Sequence, residues 1–251
     1  MDEGAGSLLF ARGFAVTRGA VAADAALDCF NDAVTSLDEM LALPGRSYGT
    51  RHFLNYNNNS RSGRNAAATK AEYVPSRSMS VDRLLCCLIR GGVGKMVSDA
   101  LGMDAFVSEV TAIASLPGTD AQSLHADSNW DNRALQLITV FVALHDISKD
   151  MGPTEVCADT HTPACFASNK WLPPPGEHYN NPLAATHLAQ ATFPQTFVLS
   201  AGDALSILPT TWHRGGRNAS SQRRVVLAVS FKENNDVDKD AGKRRISEFL
   251  S

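Results

Sequence analysis

The chain has 251 residues, 44% hydrophobic and 20% charged, with a formal net charge of −3. That length buries a real core as one large domain, and the composition is that of an ordinary globular protein. The small charge leaves no footprint for nucleic acid or an acidic membrane surface, and no run of about 18 apolar residues is present to span a bilayer.

Taken in chain order, residues 8–20 read as a short entry segment with a strand-like FAV. Residues 21–43 carry apolar residues at helical spacing and predict an amphipathic helix. Residues 44–78 are polar and rich in Gly, Asn, Ser and Arg, which predicts a loop or lid. Residues 79–102 are helical again, broken near Gly91-Gly92. From about residue 105 the pattern changes to short β-rich runs: FVSEVTAIASL, LQLITVFVAL, TFVLSA, ALSILP and RVVLAVSF. Gly, Pro, Asp and Asn signals separate them, which predicts a β-sandwich or barrel. A Pro-rich insertion at 161–195 interrupts the strands, and loops of that length are usually functional. The tail from Glu233 is charged and is expected to be only partly ordered.

Two stretches carry chemistry. In Leu124-His125-Ala126-Asp127, residues i and i+2 of an extended chain point to one face, so His125 and Asp127 can present an imidazole and a carboxylate to one ion. Trp212-His213-Arg214 follows the strand ALSILP, where a turn can aim His213 inward. Two histidines and one carboxylate with open positions are the ligand set of non-haem iron(II) oxygenases. Such a site also needs an arginine for the far carboxylate of a 2-oxo acid, because guanidinium pairs with carboxylate bidentately. Arg223 and Arg224 compete for it. Arg223, Val225, Leu227, Val229 and Phe231 form a bulky face suited to packing against helices. Arg224, Val226, Ala228 and Ser230 form a smaller, more polar face suited to lining a cavity, which favours Arg224.

The order of these features resembles the phytanoyl-CoA dioxygenase family. It runs from HxD to ValAlaLeuHisAspIle, then Gly152-Pro153-Thr154-Glu155-Val156, Ala201-Gly202-Asp203 and Trp212-His213-Arg214-Gly215-Gly216-Arg217-Asn218. The likeness covers roughly residues 105–232, and GFAVTRGAV resembles the family's start. It implies a mainly β fold, a double-stranded β-helix (jelly roll) over 105–232 with flanking N-terminal helices in 1–104, forming one oxygenase domain. It also implies Fe(II) held by His125, Asp127 and His213, with 2-oxoglutarate and O2 as co-substrates. The family's arginine lies eleven residues past the distal histidine, which is Arg224 here. Phe141 falls where an aromatic residue borders the 2-oxoglutarate pocket. The implied reaction oxidises a C–H bond of a small molecule and releases succinate and CO2. Asp127 favours hydroxylation or desaturation, since related halogenases lack that carboxylate. Ala158-Asp159-Thr160-His161 departs from the family's Pro-Gly-Ser-His turn, and His145 stands where an acidic residue is common.

The remaining polar residues have weaker claims. Asn129, Arg133 and His52 are candidates to touch substrate. Arg51, Arg61, Arg64 and Arg77 read first as a solvated basic loop. His145 reads as a satisfied strand-end residue, and His161, His178 and His187 as solvent-facing. Trp130, Trp171 and Trp212 read as packing groups, and Cys157 and Cys165 as small hydrophobes. The five cysteines include no CxxC pair, so free thiols in a reducing compartment are expected rather than structural zinc. Without a basic, apolar leader the expected location is cytoplasmic. Two alternatives stay open: another metal-dependent cupin-type enzyme, and a catalytically silent β-barrel that only binds.

Overall fold

The computed structural model describes residues 5–43, 49–56, 78–128, 137–161, 194–234 and 244–250. Asn129, Arg133, most of the 44–78 segment and nearly all of the 161–195 insertion lie outside the described residues.

Helix α1 (Ala5–Arg12) comes first. The strand-like FAV expected in the entry segment is strand β1 (Phe14–Thr17), and the helix before it was not anticipated. Gly13 joins them at φ +83, and its N–H closes back on Leu9 O at 2.8 Å. This left-handed turn ends a helix at low steric cost only with glycine. Helix α2 (Ala23–Leu41) buries Ala25, Ala26, Cys29, Ala33, Leu37 and Met40 along one stripe. Helix α3 (Met79–Arg90) starts at Ser78, whose hydroxyl accepts from Val81 N. The extended Gly91 stops it before α4 (Gly92–Leu101), as the glycine pair predicts.

The strands form two antiparallel sheets. Strand β2 is Arg51–Asn55, β3 Phe106–Ser115, β4 Leu137–Ala143, β7 Ala204–Ile207 and β9 Arg224–Lys232. With β1 they build a six-stranded sheet in the order β1-β7-β4-β9-β3-β2. The smaller sheet has the order β6-β5-β8, from β5 (Thr154–Val156), β6 (Gln195–Thr196) and β8 (His213–Gly215). The fold is mainly β, as expected, with two corrections. The N-terminal part is not only helical, because β1 and β2 are the two edge strands of the large sheet. TFVLSA is not one strand: β6 ends at Thr196, and Leu199 makes only an isolated bridge to Ile147. Asp146 and Asp203 take the nearby backbone N–H groups of Ala201 and Ser200 instead.

Strand parity sorts the large sheet into two faces. Val225, Leu227, Val229 and Phe231 pack with Ile138, Val140, Val142 and the helices in one core. The opposite face contributes Phe141, Val226 and Ala228 to a second core, shared with Val156 and Met151 beside the small sheet. The described end of the tail adds an element that the sequence reading did not name. Short helix α5 (Ile246–Leu250) buries Ile246 and Phe249 in the helical core. It is tied down by Ile246 N to Ala105 O at 2.8 Å and by the Arg244–Asp82 ion pair at 2.8 Å. Two apolar residues at helical spacing outweigh the charge around them.

Candidate metal and co-substrate site

A cavity of about 390 Å³ lies between the two sheets. From β9 it takes Arg224, Val226, Ala228 and Ser230, the face that alternation selects. β4 adds Leu137, Thr139 and Phe141, and β3 adds Glu109 and Ile113. The small sheet supplies Thr154, His213 and Gly215, and the extended run before residue 129 supplies Gln122, His125 and Asp127.

The two histidines are joined through their backbones. His125 N donates to His213 O at 3.0 Å, and His213 N to His125 O at 2.8 Å. Their rings lie side by side with centroids 4.6 Å apart. HxD is extended around this bridge rather than inside a full strand, and its two side chains still reach one point. Asp127 stands 3.9 Å from His125 Nε2 and 3.8 Å from His213 Nε2. One ligand atom from each of the three residues falls within 4.8 Å of the others.

Tautomers are set by the backbone. His125 Nδ1 lies 2.8 Å from Ser123 O, and His213 Nδ1 lies 2.9 Å from Thr211 O. A carbonyl only accepts, so each Nδ1 carries the proton and each Nε2 presents a lone pair toward Asp127. This outer support is typical of histidines that bind metal. Trp212, buried between them in sequence, packs with Leu124 and Cys157, so it and Cys157 are structural as expected.

Arg224 is 3% exposed. Its Nη2 donates to Ser115 Oγ at 3.0 Å, while Nε and Nη1 are buried with no hydrogen-bond partner. Burial, and then the nearby Arg51, push its pKa down to about 10, so it still carries its charge at neutral pH. Arg223 points the other way and pairs with Asp38 of α2 at 2.8 Å. Adjacent residues of one strand thus separate into a helix-binding charge and a cavity-facing charge. Phe141 borders the cavity with its ring centroid 6.1 Å from that of His213.

The motif residues around the site serve as framework. Glu155 and Arg214 are register partners across β5 and β8, and their side chains pair at 2.6 Å. Asn218 is fully buried and donates to Ser115 O and Gln222 O, which fixes the turn into β9. Asp203 accepts from Gly19 N at 2.8 Å and from Arg18 at 2.6 Å. Burial alone would raise its carboxyl, but these bonds and that from Ser200 N hold it below the usual carboxylate range.

Three expectations change. His52 does not line the cavity, because on β2 its neighbour Phe53 does and parity turns His52 away, buried on the opposite side. His161 is buried rather than solvent-facing, with Nε2 donating to Phe10 O at 2.9 Å. Arg51 belongs to a strand rather than a loop. His145 is satisfied as expected: its Nε2 accepts from Val225 N at 3.0 Å, and burial keeps it below the ordinary histidine range. Sequence reasoning missed Ser115, Gln122 and Thr154. Gln122 Oε1 accepts from Gly215 N at 2.8 Å, a pairing between residues 93 apart that no local pattern announces.

A family model described as Phytanoyl-CoA dioxygenase matches residues 10–226. Among solved structures, the chain is similar to the epimerase SnoN in complex with Fe3+, alpha ketoglutarate and nogalamycin RO. The TM-score is 0.62 at 14% identity, over 91% of this chain and 82% of that one. It is similar to the non-heme alpha ketoglutarate dependent carbocyclase SnoK from nogalamycin biosynthesis, at TM-score 0.62 and 13% identity over 91% and 83%. AviO1 from Streptomyces viridochromogenes Tue57 matches at TM-score 0.62 and 14% identity over 96% and 95%. At these identities the likeness establishes the fold. No curated protein matches the chain in sequence. No helix among the described residues is long and apolar enough to cross a membrane.

Proposed function

The chain belongs to the phytanoyl-CoA dioxygenase family, and from that premise we propose that it is an Fe(II)- and 2-oxoglutarate-dependent dioxygenase acting on a C–H bond of a small molecule. The observation that carries this reading is the three-residue cluster of His125, Asp127 and His213 beside the buried, half-unpartnered Arg224. Two neutral imidazoles and a carboxylate fit Fe(II) and leave part of its coordination sphere open. A buried guanidinium with two unpartnered nitrogens fits the far carboxylate of a 2-oxo acid. When bound, Fe(II) supplies the activation of O2 coupled to oxidative decarboxylation of 2-oxoglutarate to succinate and CO2.

The chain's own residues then have separate tasks. His125, Asp127 and His213 would hold the metal, with Ser123 O and Thr211 O fixing the orientation of the two rings. Arg224 would pair with the 2-oxoglutarate C5 carboxylate. Phe141, Val226 and Ala228 wall the cavity with apolar surface and exclude water. The reaction outcome is not confined to hydroxylation, since the similar folds include an epimerase and a carbocyclase. The free, buried thiol of Cys29 is in keeping with a reducing, cytoplasmic setting.

Arg224 also favours this reading over a cupin-type metal enzyme of another class or a silent binding barrel. Neither needs a desolvated cation with unused donors next to the metal ligands. The test is thermal unfolding with Mn(II) as an inert metal. Saturating 2-oxoglutarate is expected to raise Tm on the order of 5 °C or more, and Asp127→Ala to remove the shift. No shift in the wild type, or an equal shift in the variant, contradicts the proposal.

A further inference from the structure

On the cavity face of β9, polar side chains stand at the two ends. Arg224 begins the strand, and Val226 and Ala228 follow it on that face. At the next level Ser230 has Glu109 of β3 and Thr139 of β4 as its register partners, so three polar residues of neighbouring strands meet in one row. All three line the cavity. Ser230 lies six residues beyond Arg224, about 20 Å along an extended strand. A five-carbon acid held by Arg224 and the metal ligands is too short to reach that row, which leaves it to a second molecule.

A bulge in β3 turns Glu109 into the cavity. Val107 pairs with Phe231 and Val110 with Val229, all on the helix-covered face, so Ser108 and Glu109 together stand opposite Ser230. Without the extra residue, alternation would put position 109 on the helix side with Val107. Thr111 Oγ1 donates to Glu109 Oε1 at 2.9 Å and holds the carboxylate along the inner face. The buried hydroxyls of Thr139 and Ser230 lie 3.2 Å apart and bond to each other. Glu109 itself is exposed, at the open end of the cavity. Among the described residues no cation pairs with it. The other charged side chains of the lining are Asp127 and Arg224. Together with Fe(II) and the two carboxylates of 2-oxoglutarate they balance to neutrality, so Glu109 is left as the uncompensated charge of the loaded cavity. Resting on the co-substrate reading above, we infer that Glu109 is a substrate-binding residue and that the substrate carries an amine, protonated at neutral pH. The ammonium group pairs with Glu109, the Thr139 and Ser230 oxygens offer further acceptors, and the adjoining carbon skeleton lies along Leu137 and Phe141 toward the metal ligands.

Paramagnetic relaxation by the metal reads binding at this place directly. Cyclohexylamine, cyclohexanol and cyclohexanecarboxylate are ring compounds of similar size that differ in charge. Each is mixed with Mn(II)-loaded protein at saturating 2-oxoglutarate, and its proton relaxation is compared with that over Zn(II)-loaded protein. In the wild type the amine is expected to show about threefold or more the enhancement of the alcohol, the scale of a partly exposed ion pair, and the carboxylate the least. Glu109→Gln, nearly isosteric at an exposed position, should bring the amine down to the level of the alcohol while keeping the Tm shift given by 2-oxoglutarate. No preference for the amine in the wild type, or an equal preference in Glu109→Gln, overturns the inference. Loss of the 2-oxoglutarate Tm shift in Glu109→Gln overturns it too, because the residue would then serve the co-substrate. Wild-type protein without that shift would instead overturn the co-substrate reading itself.

Discussion

Arg224 holds a charge in a place where charge is expensive, with two of its nitrogens unmatched. Residues of this kind trade stability for function. Arg224→Met removes the buried charge, keeps most of the volume and leaves the Ser115 hydroxyl to Arg51, whose Nε lies 3.2 Å from it. In ligand-free protein its Tm is therefore expected to equal or exceed that of the wild type, since replacing buried charge by an apolar side chain is often neutral or stabilising. Its affinity for 2-oxoglutarate should fall about 100-fold, the scale of truncating one partner of a buried charge pair. Thermal unfolding and calorimetry on the same samples check both halves. A variant that is strongly destabilised and binds normally would show Arg224 to be a structural group. The same contrast explains why Arg223 and Arg224 are not interchangeable, for Arg223 already has Asp38.

At the scale of elements, the strands of the second half were readable because their apolar residues alternate between a helix-covered face and a cavity face. Parity favoured Arg224 over Arg223 for the cavity side, and the side chains of β9 alternate accordingly along the whole strand. β2 was hidden because RHFLN carries polar residues at three of its five positions and sits in a polar, Gly- and Asn-rich stretch. Its identity as a strand comes from pairing with β3, a partner more than fifty residues away. That is why Arg51 and Ser115 stayed invisible: each is ordinary locally, and only the register puts them in one row with Arg224. α5 was missed for the opposite reason, since a charged tail masks the two apolar residues that anchor it. The bridge between His125 and His213 is equally non-local, yet the candidate cluster was legible, because few residue sets suit such a metal.

For the whole molecule, buried histidines set the response to acid. Burial is the first cause that holds His52, His145 and His161 below the ordinary histidine range. In the unfolded chain they take up protons near pH 6.5, and in the folded protein only at lower pH. Between those limits the unfolded state binds more protons, so stability is complete above about pH 6.5 and falls as the solution is acidified. Asp203, also held low, extends the loss below the ordinary carboxylate range. Metal-free protein is expected to lose Tm progressively from pH 7 to pH 5. A flat or rising profile over that window would contradict the burial assigned to these three rings.

The central claim is that His125, Asp127 and His213 act together on one ion that turns over 2-oxoglutarate. Succinate release by Fe(II)-reconstituted protein, followed with and without O2 and with His213→Ala alongside, addresses it most directly. The account predicts O2-dependent succinate formation from the wild type and a background rate from the variant. Succinate formed at the wild-type rate by His213→Ala, or none formed by the wild type with metal bound, would contradict it.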